Sequence, residues 1–407
     1  MRLVQITLDS VLIGQPLPFS LMGKDGVLLA KKAYVVKSRK DLADIAERSG
    51  GLYIDETDSD TYQRALLDKF YGLVRDDKSL NEIVGVNMNN LTESERRAQE
   101  DNRADWMDLQ EQANTLLRDH NAVLFTGRLD RLHYQLNRRS SLNPDGTIFA
   151  LIYLSATDRR MYSATHAMLV SVMCGLAVRE VLHWPPAIEA MLCKAALTMN
   201  VGMTELQDRL ARQSEPLSPT QRSIVNDHAE KSVELLIAMG ITDTIWLDAV
   251  RGHHNQTPGP LNTKTPAQRL ARVIQRADSF AARLAPRASR NPIAPAAAMK
   301  ACYFDENSQI DDVGGALIKA IGIYPPGSYV RLTTEEIAIV VQRGLNTTMP
   351  KVAIVINRSG MPTVDPIVRD TSLTEYRIVA SVPHRDVKVQ INLERLLTLT
   401  TGSNRPW

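Results

Sequence analysis

Between residues 145 and 325 apolar positions recur at helical spacing in one segment after another, so this stretch reads as consecutive helices of a bundle. MYSATHAMLVSVMCGLAVREVL and PAIEAMLCKAALTMN are apolar nearly all round, which predicts two buried central helices. A third helix has a clear start: Ser218 as N-cap, Pro219 at the first helical position and Gln221 completing a capping box. Thr265 and Pro266 repeat the cap-then-proline pattern ahead of AQRLARVIQRADSFAARL. Beyond Pro325, Pro326 and Gly327 the texture changes. IAIVVQRG, KVAIVINRSG and YRIVASV are short β-rich runs closed by turn residues, and 326–407 is expected to be a β-rich C-terminal subdomain. No internal repeat is visible.

The first 56 residues read as a small α/β module. LVQITL and GLYID favour strands, and PLPFSLMGKDGVLLAKKAYVV reads as two strands joined at the Gly-Lys-Asp-Gly cluster of 23–26. SRKDLADIAERSGG predicts a short helix, with Ser38 at its cap and Gly50 at its end. Residues 57–144 are rich in both charge signs. Trp106, Leu109, Ala113, Leu116 and Leu117 keep a helical period there, so the segment is expected to be a helical connector with a flexible stretch near 85–90. It reads as a solvated spacer or, alternatively, as a dimerisation or signalling helix. The whole is a mainly α chain: a helical bundle with a small N-terminal module and a C-terminal β subdomain.

Composition narrows the function. With 407 residues the chain holds two or three domains, and 44% hydrophobic against 23% charged residues describes a folded protein. Only 5% of residues are aromatic while Met numbers 14, which favours aliphatic helix packing over an all-β sandwich. Lys and Arg total 48 against 46 Asp and Glu, so global charge offers no reason to expect nucleic acid or a membrane surface as partner. Cys174, Cys193 and Cys302 are scattered without a CxxC pair, as in a reducing compartment. The start MRLVQITLDS lacks a signal-peptide core, and the uncharged stretch 165–178 is too short to span a bilayer. The expectation is a soluble, cytoplasmic protein.

The chemistry sits in the bundle. His166 and His228 each fall within a predicted helix, the adjacent His253 and His254 end another, and Asp278 lies in the helix containing IQRADSF. Histidines and a carboxylate projecting from different helices into a bundle interior are how helical proteins build metal sites. A lone helical histidine is more often structural. Spacing leaves open whether these five converge.

Their order resembles the HD-GYP proteins, the metal-dependent cyclic di-GMP phosphodiesterases of bacteria. The matching segments are THAMLVSVMCGLA, KAALTMNVGM, IVNDHAEKSVELL, AVRGHHNQTPGP and ARVIQRADSFAARLAPR. IGIYPPGSYVRLTTEEIAIVV is similar to the stretch that follows the family's bundle, so the resemblance covers roughly 150–400. It implies an HD-type bundle, with His166 and Asp278 matching ligands of one metal position and His228, His253 and His254 matching ligands of the other. It also implies a phosphate-facing role for Arg287. The same Arg reads equally well as an exposed residue at a helix end.

The departures bear on activity. Met199 stands at the signature His, Asn200 at the signature Asp and Met203 at the Lys. The resemblance gives these positions a metal ligand, a carboxylate bridging two ions and a contact to substrate phosphate. Asn offers a carbonyl oxygen without charge, a thioether is a poor partner for iron, manganese or magnesium, and Met203 supplies no cation. Asn255 replaces the Glu of HHE, and Asn255, Gln256, Thr257, Pro258, Gly259 and Pro260 form a loop without the GYP tyrosine, on a run to Asp278 that is shorter than the family's.

The expected protein is therefore a degenerate, hydrolytically impaired HD-GYP protein. It would bind cyclic di-GMP or a related nucleotide, or a signalling protein or second copy of itself, with one Fe, Mn or Zn ion or with no metal. One alternative is an active phosphohydrolase with a mononuclear site on His228, His253, His254 and Asp278. Another is a scaffolding module in which the histidines are core residues.

Overall fold

The computed structural model describes most of residues 3–55 together with residues 106–284, 294–389 and 391–401. The 85–90 stretch of the expected connector and Arg287 lie outside the described residues. The chain divides into two compact units, Met1–Ala104 and Asp105–Trp407.

In the first unit, strands β1 (Leu3–Ile6), β2 (Leu21–Met22), β3 (Leu28–Ala30) and β4 (Leu52–Asp55) form an antiparallel sheet in the order β1-β4-β2-β3. Gly26, at φ 79°, donates its N–H to the Gly23 carbonyl and closes the expected turn between β2 and β3. Helix α1 (Arg39–Arg48) follows, with Gly50 in the left-handed region just beyond its end. Val11, Leu17, Leu21, Val36, Leu42 and Leu52 make the core of this unit.

The second unit opens with α2 (Trp106–Arg118) and α3 (Ala122–Leu142). All five positions of the apolar stripe in α2 are buried, and Gln110 Nε2 donates to Thr165 Oγ1 at 2.7 Å. These helices, read from the sequence as part of a connector, pack within the same compact unit as the bundle. The bundle continues with α4 (Pro144–Thr157), α5 (Tyr162–Ala177), a π-helical turn (Val178–Leu182) and α6 (Pro186–Thr198). Next come α7 (Thr204–Arg212), α8 (Pro219–Ala238), α9 (Thr244–Gly252), α10 (Pro266–Leu284), α11 (Pro295–Tyr303) and α12 (Asp312–Ile321).

Every residue of α5 is buried, as its unbroken apolarity predicts. With the π turn it forms a 21-residue helix, Tyr162–Leu182, longer than the uncharged stretch 165–178 and apolar enough by length and composition to cross a membrane. Inside the protein 78% of its apolar window is covered, so this is the central helix of the core. The capping box of Ser218 and Gln221 forms in full, and Thr265 and Gln268 make a second one at α10.

The C-terminal sheet comprises β5 (Tyr329–Leu332), β6 (Ile337–Gln342), β7 (Lys351–Ile356), β8 (Pro362–Asp370) and β9 (Ile378–Val382), in the antiparallel order β8-β7-β6-β5-β9. Both of its faces are covered. Ile339, Val341, Ala353 and Val355 pack with Phe149 of α4 and Leu396 of a final helix, α13 (Leu393–Thr398), while Val330, Ala338, Val340 and Ile354 make a cluster on the other face. That explains why IAIVV reads as a continuous apolar run instead of an alternating one. The Pro-Pro-Gly turn sits where bundle and sheet meet. A Cβ at Gly327, φ 88°, would lie 2.9 Å from the Phe149 carbonyl oxygen.

Candidate metal centre

The site is built from α5, α8, α9 and α10. Helix α10 packs against both α5 and α9, and α9 against α8, so residues separated by more than 110 positions in sequence meet in one interior.

His228 comes from the buried face of α8, and His253 and His254 follow the last turn of α9. His228 Nδ1 donates to the Val225 carbonyl and His253 Nδ1 to the Val250 carbonyl, each at 2.6 Å. Each bond fixes the proton on Nδ1 and leaves Nε2 with a bare lone pair. The Nε2 atoms of His228 and His253 are 3.3 Å apart, and those of His228 and His254 are 3.2 Å apart. Two lone pairs facing each other repel unless a cation lies between them. Three imidazole nitrogens held tetrahedrally at the usual zinc–nitrogen length of about 2.1 Å would stand about 3.4 Å apart. The donor set fits one divalent transition metal ion. His253 is fully buried, and burial, reinforced by the neighbouring His254, pushes its pKa down to about 3; burial lowers His228 as well. Neutral rings are the form a metal requires.

The other two expected ligands satisfy each other. His166 Nε2 lies 2.7 Å from Asp278 Oδ1, with the His166 ring stacked on Tyr162. Burial works against ionisation of Asp278, but the hydrogen bond and charge of His166, with the histidines beyond, hold its carboxyl well below the usual carboxylate range. The structure thus gathers His228, His253 and His254 into one group and His166 with Asp278 into another. The two groups interact electrostatically across the bundle interior.

Residues 199–203 follow directly on α6. Met199 caps α6 and is buried among the core residues. The Oδ1 of Asn200 is buried without a hydrogen-bond partner. The turn that follows packs on α8: Gly202 N–H donates to Ser232 Oγ at 2.9 Å, and a Cβ at Gly202 would come within 2.8 Å of the His228 carbonyl oxygen. Trp246 Nε1 on α9 reaches Thr198 Oγ1 at 3.3 Å. These bonds tie the end of α6 to both histidine-bearing helices.

The loop 255–260 is held from a second side. Gly259 N–H donates to Asp305 Oδ2 at 3.3 Å and Leu261 N–H to Asp312 Oδ2 at 2.9 Å. Six residues before Asp278 on the same helix, Arg272 is buried and forms a fork onto Glu306, at 2.9 and 3.0 Å, and also bonds Asp311. Sequence reading passed over this network. Its signal was an arginine on the inward face of an amphipathic helix, a position that demands a buried partner.

No family model matches the chain. It is 26% identical, over 237 residues, to the cyclic di-GMP phosphodiesterase PA4108 of Pseudomonas aeruginosa, and the match spans 56% of this chain and 56% of that protein. A solved HDG"Y"P protein of Bdellovibrio bacteriovorus, Bd1817, aligns over 78% of this chain and 98% of its own, with 14% identity and a TM-score of 0.40.

Proposed function

This chain belongs with the HD-GYP proteins, and from that premise we propose that it acts in cyclic di-GMP signalling as a binder of a phosphate-bearing nucleotide, with one metal position and impaired hydrolysis. The observation that carries the reading is the unequal fate of the two ligand groups. The bare Nε2 atoms of His228 and His253 converge with Nε2 of His254, whereas His166 and Asp278 are hydrogen-bonded to each other and Asn200 carries no charge.

His228, His253 and His254 would hold the ion, either Zn, Fe or Mn. A bound ion of this kind supplies Lewis acidity and a charge that a phosphate oxygen can meet. The backbone carbonyls of Val225 and Val250 orient the rings. Asp278, kept ionised by His166, gives the interior a fixed negative charge that favours a cation at the three histidines. Hydrolysis of a phosphodiester by a dinuclear centre needs a second cation to neutralise the developing charge. Met199, Asn200 and Met203 remove a ligand, a bridge and a phosphate contact from that half.

Metal analysis of gently purified protein is expected to find one transition metal per chain, lost in His253→Ala. Titration with cyclic di-GMP is expected to saturate, with product formation close to background. Turnover of cyclic di-GMP that disappears in Asp278→Ala sinks the impaired reading. It would favour an active phosphohydrolase with a single ion, which the open positions around three imidazoles also permit. If His253→Ala together with His254→Ala leaves both metal content and ligand binding unchanged, the bundle is a scaffold.

A further inference from the structure

Met203 lines a cavity of about 610 Å³ between the end of α2, the turn into α7 and one face of α8 from Thr220 to Leu235. Three cationic side chains, Arg118, Arg209 and Lys231, contribute to the wall with the imidazole of His120, against one carboxylate, Glu205. Arg118 pairs with Asp208, and Lys231 bonds Glu234 at 2.8 Å, leaving its other ammonium hydrogens free for a ligand. Among the described residues no carboxylate lies within ion-pair distance of Arg209. Thr220 and Gln221, at the N-terminus of the 20-residue α8, close one end, where the helix dipole adds positive potential. Met203, Leu206, Ile224 and Leu235 supply an apolar wall.

Ile224, Lys231 and Leu235 are spaced by 7 and 4 residues along α8, and His228 falls between the first two, four residues after Ile224 and three before Lys231. Helical geometry puts all four on one face. The cavity therefore adjoins the helix stripe that carries His228, one of the proposed metal ligands. A half-apolar hollow of this volume, with Arg209 unpaired among the described residues and Lys231 hydrogens to spare, suits a phosphate group with an attached base.

We propose that this cavity binds a phosphorylated nucleotide, with Arg209 and Lys231 supplying the phosphate contacts that Met203 does not. The inference rests on the nucleotide-binding reading above and assigns it a place. Ordinary phosphate pairing by exposed cations is strongly salt-dependent, and so should be the affinity.

The test is calorimetric titration of pyrophosphate, GMP and cyclic di-GMP into the full chain, its Arg209→Glu and Lys231→Glu double variant, and a Lys300→Glu control on α11. Both cavity side chains are solvent-facing, so near-ultraviolet circular dichroism and metal content are expected to match the wild type. At least a tenfold loss of nucleotide affinity in the double variant, with the control unchanged, supports the site. Equal affinity in all three proteins overturns it while leaving nucleotide binding intact. Binding of pyrophosphate or GMP that depends on Arg209 and Lys231, without any binding of cyclic di-GMP, keeps the cavity and rejects the cyclic di-GMP reading. No binding of any probe rejects both.

Discussion

At the scale of single residues, the proposed loss of hydrolysis rests on three positions. Met199 has been absorbed into the core, Asn200 presents an unpartnered buried oxygen, and Met203 lines a cavity whose cations come from elsewhere. Restoring ligands at the first two should reopen the second metal position. Met199→His with Asn200→Asp is expected to raise bound metal from one to two ions per chain, measured by mass spectrometry of the metal, because Asp278 then gains a reason to leave His166. Gly202 is the other critical residue. Its missing Cβ lets the signature turn approach His228 and Ser232, so Gly202→Ala should cost about 1–3 kcal/mol in urea unfolding through overpacking against backbone. An unchanged midpoint contradicts the close approach.

At the scale of elements, the sheet behaves as a buried layer and its stability should depend on pH through His384. That ring stands edge-on to Tyr329, with Nε2 shut from solvent and unpartnered. Burial pushes its pKa down to about 4, although a hydrogen bond that the ring donates to the Gly327 backbone acts the other way. An unfolded histidine titrates near about 6.5. Between these values the unfolded chain binds the extra proton, so stability is present above about pH 6.5 and declines as pH falls toward 4, by at most about 1.4 kcal/mol per pH unit. In His384→Phe the slope of unfolding free energy over this window is expected to flatten. An identical slope would assign the acid sensitivity to other groups.

Across the Asp105–Trp407 unit, one arginine joins sheet to bundle. Arg343 follows β6 and is buried; its guanidinium meets Asp145 at the start of α4, Glu180 of the π turn at 2.9 Å and the Ala320 carbonyl of α12. Arg343→Ala removes a buried cation that two carboxylates share. The expected loss is about 3–5 kcal/mol, read as a fall in thermal midpoint. Replacing all three side chains by apolar residues of similar volume should recover much of it.

The sequence by itself determined what local rules encode: the periodic helices, the caps at Ser218 and Thr265, the turn at 23–26 and the β runs after Pro326. Its resemblance to the HD-GYP proteins also marked candidate ligands and exchanged positions, because the residue type at a motif position is legible without coordinates. What it left open was convergence. Periodicity gives the face of each helix but not its neighbour, so only the tertiary structure brought His228 within 3.3 Å of His253 and matched His166 with Asp278. The cavity cations were invisible for the same reason: Arg118, Arg209 and Lys231 come from three helices, and a surface charge shows no period. Residues 106–142 were ambiguous because polar outer faces dominate their composition, whereas a single stripe from Trp106 to Leu117 decided where α2 packs. Hydrophobic burial, which sums over a helix, is written locally; a binding site, which needs a few atoms from distant segments at one point, is written only by the fold.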